Sequence, residues 1–341
     1  MYVRRGVTTT PAFDPFTHLV FFEKIPTNIF TRRRSTVTPD RSVGRNVSMG
    51  PPSWASPPAF TTRLTLGRVA ATSVACAYVA AVRLASGCKR DNVETMRRRF
   101  VALTVTCAVA WIPTAWLMFA FDVGGDDAGT GTSGPLTLRR ALGLDANRVL
   151  DARSCALGAL VGIALTLGAL VDGATSPNGR LKENLQRIAK PRTRAEAMMN
   201  WRDFAHAPAC EEFCFRACAS SALRVAGASP IEQVALTAAL FALAHAHHYF
   251  ERRLDGASIA RATTACVIQF AFTAPFGALA CVLFRRTQSL VAVILCHVVC
   301  NLIGPPARFT MNGSFHDVVV TALHFIGPAF VLRWVFSPID G

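Results

Sequence analysis

Residues 209–217 read Ala-Cys-Glu-Glu-Phe-Cys-Phe-Arg-Ala. Two adjacent carboxylates, Glu211 and Glu212, and one guanidinium, Arg216, stand in an otherwise apolar stretch. Ionisable groups are costly in such surroundings, which makes them candidates for function. On a helix, Glu212 and Arg216 are one turn apart and can pair. Glu211 lies about 100° further round and points elsewhere. One acid is then matched by the arginine, and the other is free for chemistry. The plainer alternative is a structural ion pair with a spare acid at a helix end.

Two more polar groups interrupt apolar runs. Phe241 and His245 share one helix face in the run that ends His245-Ala-His247-His248, and His297 and Asn301 share another. Each polar group must find a partner there. A carboxylate and a neutral imidazole can together deprotonate a water. A second imidazole and an amide are donors suited to a developing oxyanion. Water attack with oxyanion stabilisation describes amide hydrolysis. Neither a Gly-x-Ser-x-Gly elbow nor an HExxH helix is present, so neither a serine hydrolase nor a standard zincin fits. Zinc held by His245, His247, His248 and Glu211 is the weaker alternative. The expectation is a site without cofactor or metal.

The elements that must carry these residues are apolar helices. The chain has 341 residues, of which 51% are hydrophobic and 17% charged, and a mean hydropathy of +0.33. That composition predicts an all-α, multi-span membrane bundle in contact with the lipid bilayer. Eight segments approach the 20 residues of a span: 66–86, 100–121, 154–172, 204–226, 231–249, 262–284, 288–304 and 317–336. The third and seventh are short enough for a re-entrant or tilted path. Residues 136–151 read as an amphipathic helix on the membrane surface. Residues 1–62, rich in Arg, Ser, Thr and Pro, read as a disordered arm, and 63–341 as the membrane domain. The eleven cysteines form no CxxC pair and read as small apolar side chains.

Net charge is +15. No nucleic-acid reading module accompanies it, so a nucleic-acid partner is not expected. Lys and Arg instead crowd the loops after segments one, three, five and seven, exemplified by Lys89, Arg90, Arg187 and Arg252. That places these loops in the cytosol. Glu211 falls near the start of segment four, His245 near the end of five and Asn301 near the end of seven. With alternating spans all three meet on the cytosolic side. No repeated halves are visible, which disfavours a transporter.

Three blocks in this order resemble the type II CAAX prenyl endopeptidases, the Ras-converting enzymes of the glutamate-dependent intramembrane protease superfamily. The first is Ala207-Pro208-x-x-Glu211-Glu212-x-x-Phe215-Arg216-Ala217 and the second Phe241-x-x-x-His245-x-His247-His248. The third comprises Phe276-Gly277-Ala278, Leu283-Phe284-x-Arg286-Thr287 and Cys296-His297-x-x-Cys300-Asn301. Together they span 202–304. The resemblance implies an eight-helix enzyme of the endoplasmic reticulum. It would cut after the prenylated cysteine of C-a-a-X proteins, such as small GTPases, and release the last three residues. It implies that Glu211 and His245 activate water, that His297 and Asn301 hold the oxyanion, and that Glu212, Arg216, Phe241 and His248 support the site. A non-catalytic scaffold or immunity-type member of the superfamily is the alternative function, and a plastid or mitochondrial membrane the alternative location. Arg216, or Arg252 or Arg253, is expected to attract the substrate's terminal carboxylate.

Overall fold

The computed structural model describes residues 57–85, 90–123, 136–175, 179–304 and 315–335. Among the described residues every regular element is helical, and no strand occurs. Most of the expected N-terminal arm lies outside them. Helix α1, Pro57–Leu84, begins within the last few residues assigned to it.

Asn92 caps α2 (Val93–Ala110) by accepting from the N–H groups of Glu94 and Thr95. Helix α3 (Ile112–Ala120) continues it across Trp111. Next come two four-residue helices, α4 (Leu138–Ala141) and α5 (Ala146–Val149). The single amphipathic helix expected over 136–151 is therefore broken. Gly143 sits between its halves at φ +68°, and a Cβ there would collide with the Phe284 ring. Leu136, Ala141 and Leu142 are buried, so this segment tucks into the protein.

Helices α6 (Ala152–Leu165) and α7 (Leu167–Thr175) meet at a 71° bend. The Thr166 hydroxyl donates to the Gly162 carbonyl at 2.7 Å, a back-bond that helps turn the helix. After α8 (Arg180–Ala189) the chain forms one long rod: α9 (Arg194–Trp201), a π-helical turn at Arg202–His206, α10 (Ala207–Glu212), a second π-helical stretch at Phe213–Ser220, and α11 (Ser221–Val225). Pro208 has no N–H to donate back into the first wide turn.

Ser229 caps α12 (Pro230–Ala244), with Pro230 in the first turn. Helix α13 (His247–Leu254) follows almost at once. Ser258 caps α14 (Ile259–Thr287), which ends on Gln288 in the left-handed region at φ 50°. Ser289 then caps α15 (Leu290–Ile303), and α16 (Phe315–Val335) is the last helix.

The rod is the hub. Cys214, Phe215, Arg216, Ala217, Cys218, Ala219 and Ala222 are each fully buried. Helices α1, α2, α12, α14 and α15 surround its second π stretch. Small side chains let these neighbours approach closely. The outward faces are apolar: Val101, Val105 and Val109 recur at one-turn spacing on α2, and Phe325, Ile326 and Phe330 on α16 are exposed. An apolar exterior of this extent fits lipid.

All eight expected segments are helical, but a count of eight spans is not confirmed. Four helices are long and apolar enough to cross a membrane, or five if α6 and α7 make one bent span. The 15 residues of α12 and 14 of α15 rise about 1.5 Å each, short of a hydrocarbon core about 30 Å thick.

Helix α15, which carries two of the candidate residues, lies against α6 through Gly158 and Gly162. A Cβ at Gly158 would overlap the Ala292 carbonyl, and one at Gly162 would lie 2.8 Å from that of Cys296. Gly158→Leu should therefore push α15 away and cost about 1–3 kcal/mol. The thermal midpoint in detergent should fall; an unchanged midpoint would show that α6 and α15 do not pack this closely.

Candidate active site

The two adjacent glutamates have different surroundings. Glu212 and Arg216 are both fully buried and pair across one turn, with Nε and Oε2 3.1 Å apart. The other Glu212 oxygen accepts from His297 Nδ1 at 2.7 Å. One carboxylate thus ties the rod to α15. The Arg216 guanidinium lies 4.2 Å from the Phe241 ring centroid on α12 and 5.8 Å from that of Phe276 on α14. Aromatic faces partly compensate a cation that has left water. Gly277 keeps α14 close, since a Cβ there would lie 3.2 Å from the Phe241 ring.

Glu211 is the accessible acid: its side chain is 14% exposed against 0% for Glu212. Its Oε1 accepts from the Tyr78 hydroxyl of α1 at 3.0 Å. Its Oε2 stands 3.9 Å from His297 Nε2, and His245 is within electrostatic range. His245 Nδ1 is 2.8 Å from the Phe241 carbonyl. A carbonyl can only accept, so Nδ1 carries the proton and Nε2 of the neutral ring keeps its lone pair. Phe241 also holds the His245 ring edge-on at 4.7 Å. Asn301 Nδ2 donates to the Asp203 carbonyl at 2.9 Å, which leaves its second N–H for another acceptor.

Two cavities adjoin this centre. The wider, about 680 Å³, is mainly apolar and runs between α14 and α16, with Phe272, Phe276, Phe325 and Val331 in its wall. Phe241, His245, His297 and Asn301 also line it. The narrower, about 70 Å³, is lined by Tyr78, Glu211, His245 and three arginines, Arg90, Arg99 and Arg202. His245 lines both.

His247 and His248 also line the narrow cavity. Together with Glu251 they form a compact group whose ligand atoms lie within 4.8 Å of one another. This differs from the His245, His247, His248 and Glu211 set considered for zinc. His247 Nδ1 already donates to the Ala244 carbonyl, and His248 Nδ1 bonds Glu251 at 2.7 Å. The other Glu251 oxygen takes Arg99 at 2.5 Å, so a cation here would compete with the existing His248 and Arg99 contacts of this carboxylate. Burial pushes the Glu251 carboxyl up, but His248 and Arg99 outweigh it and hold it well below the usual carboxylate range. His248 thereby stands fixed 6.0 Å from the His245 ring.

The i,i+4 pair of Glu212 and Arg216 was legible from spacing; the His297 contact to Glu212 was not. Tyr78 was missed, although a hydroxyl inside an apolar span was the available signal, since it needs a partner. Arg216 cannot attract a substrate carboxylate, because it is sealed and already paired. Arg252 and Arg253 line neither cavity.

Helices that suit a bilayer, surrounding clustered carboxylates, imidazoles and an amide beside an apolar cavity, define a polytopic membrane enzyme of the hydrolase class. Residues 194–303 match the profile of the family described as "Type II CAAX prenyl endopeptidase Rce1-like". The chain is 32% identical over 241 residues to the human protein named CAAX prenyl protease 2, an alignment covering 69% of each. It therefore belongs to the type II CAAX prenyl endopeptidase family. It is also 37% identical over 123 residues to the Arabidopsis thaliana protein of that name, covering 36% of this chain and 39% of that one. A Schizosaccharomyces pombe protein named "Probable CAAX prenyl protease 2" is 35% identical over 116 residues, covering 33% and 42%. No solved structure matches the chain.

Removing one member of a buried ion pair strands the other. Arg216→Met should cost about 3–5 kcal/mol, seen as a large fall in thermal midpoint. A midpoint equal to wild type would mean that Glu212 does not depend on this arginine.

Proposed function

We propose that this chain hydrolyses the peptide bond after the prenylated cysteine of C-a-a-X proteins and releases the C-terminal tripeptide. The observation that carries this reading is the position of His245, shared between a wide apolar cavity and a narrow one that holds Glu211 and three arginines. A prenyl chain is a large apolar group and favours the first. The a-a-X tail is peptide and favours the second. The bond between them then lies against His245 and Glu211. Substrates are isoprenylated proteins such as small GTPases, processed at the endoplasmic-reticulum membrane with the site facing the cytosol.

The chemistry follows from what each group can still do. Glu211 and the Nε2 lone pair of His245 hold a water and accept its proton as it attacks the carbonyl. The oxyanion forms where His297 Nε2, once protonated, and the second N–H of Asn301 donate to it. Glu212 sets the tautomer and orientation of His297 from behind, with Arg216 balancing its charge. Phe241 holds His245 and covers Arg216. The proton taken from water passes to the leaving amine. No cofactor or metal has a part in this scheme.

Tripeptide release from a prenylated C-a-a-X peptide, by purified protein in detergent, tests the reading. Wild type should release it, and Glu211→Ala and His245→Ala should each be slower by about 10²–10⁴-fold. Equal rates from all three would remove both residues from the chemistry. A chelator series at fixed pH should leave wild-type turnover unchanged; loss that zinc restores would contradict the metal-free scheme.

A further inference from the structure

We infer that Arg90 receives the free α-carboxylate of the substrate's last residue, so that the narrow cavity recognises a chain end. This rests on the proposed endopeptidase reading and adds the basis on which the enzyme distinguishes a terminal tripeptide from internal sequence.

Three guanidiniums line the narrow cavity together with Glu211 and His245. Two of them are matched. Arg202 bonds Asp91 at 2.7 Å and Asp203 at 2.8 Å. Arg99 bonds Glu251 at 2.5 Å. Arg90 alone of the three makes no hydrogen bond or ion pair among the described residues, and it is exposed. The nearby acids Asp91, Asp203 and Glu251 are therefore already engaged by other cations. Arg90 has the same three acids within electrostatic range but a hydrogen bond to none of them, so its guanidinium N–H groups are the ones at this cavity still open to a ligand.

A guanidinium with unused N–H groups beside a peptide-cleaving centre can take an anion, and its planar fork matches a carboxylate. The cavity, about 70 Å³, is far smaller than the wide one of about 680 Å³, which is the one that suits a prenyl chain. Three extended residues reach about 10 Å. An anchor for the terminal carboxylate in the cavity that contains Glu211 therefore sets how far from the chain end the cut falls. A longer tail would have to place an uncharged amide against Arg90, which exchanges a charge-assisted contact for a weaker one.

The test uses two prenylated peptides that differ only at the C-terminus, one a free acid and one a carboxamide. Each is cut by wild type, Arg90→Gln and Arg90→Lys. Wild type should show a KM about 10- to 100-fold lower for the acid, the range expected of a hydrogen bond to a charged group. Arg90→Gln should bring the acid-to-amide ratio close to one, and Arg90→Lys should keep part of it. If Arg90→Gln weakened both peptides equally, Arg90 would have a structural role only. If wild type cut both peptides equally well, the carboxylate site would be overturned while the protease reading stood. Failure of wild type to cut either peptide would contradict the protease reading itself, and the carboxylate site with it.

Discussion

The fully buried carboxylate of Glu212 is the constraint on which the rest of the structure depends. A charge without water must be surrounded by its own compensation. Arg216 supplies a cation one turn away, and His297 supplies a donor from a different helix. Arg216 in turn needs cover, which Phe241 and Phe276 provide from α12 and α14. Satisfying one carboxylate therefore holds four helices in register. The residues that achieve this, Phe241 and His297, also line the site.

This arrangement explains why two neighbouring glutamates have such different surroundings. The helical period turns them about 100° apart. Glu212 faces the centre of the bundle, where His297 takes one oxygen by a hydrogen bond and Arg216 pairs with the other. Glu211 faces the narrow cavity, and Tyr78 holds only one of its oxygens. The sealed acid fixes geometry while the open one remains available to water. Catalytic groups work best when their own supports are rigid. Here the support is an ion pair that cannot rearrange without exposing a charge to hydrocarbon.

Much of this could be read from local spacing. The Glu212 and Arg216 pair, the shared face of Phe241 and His245, and that of His297 and Asn301 follow from a period of 3.6 residues. What connects those faces could not be read, because it depends on packing between distant segments. The Glu212 to His297 bond spans 85 positions and the Tyr78 to Glu211 bond 133. Hydropathy located eight helical segments, yet it could not tell a full span from the shorter α12 and α15. The two π-helical stretches around Pro208 and Arg216 were also invisible, since their composition is that of ordinary helix. Arg90 looked like one of many basic loop residues. Only the pairing of Arg99 and Arg202 with acids sets it apart.

The most direct measurement is turnover and thermal midpoint recorded side by side for two isosteric variants, Glu211→Gln and Glu212→Gln. The account predicts that Glu211→Gln abolishes tripeptide release while keeping a near wild-type midpoint. Glu212→Gln should lower the midpoint by several degrees through the unpaired Arg216, and lose activity through a loosened His297. The reverse pattern, a stable Glu212→Gln protein and an active Glu211→Gln enzyme, would contradict the division of labour between the two acids.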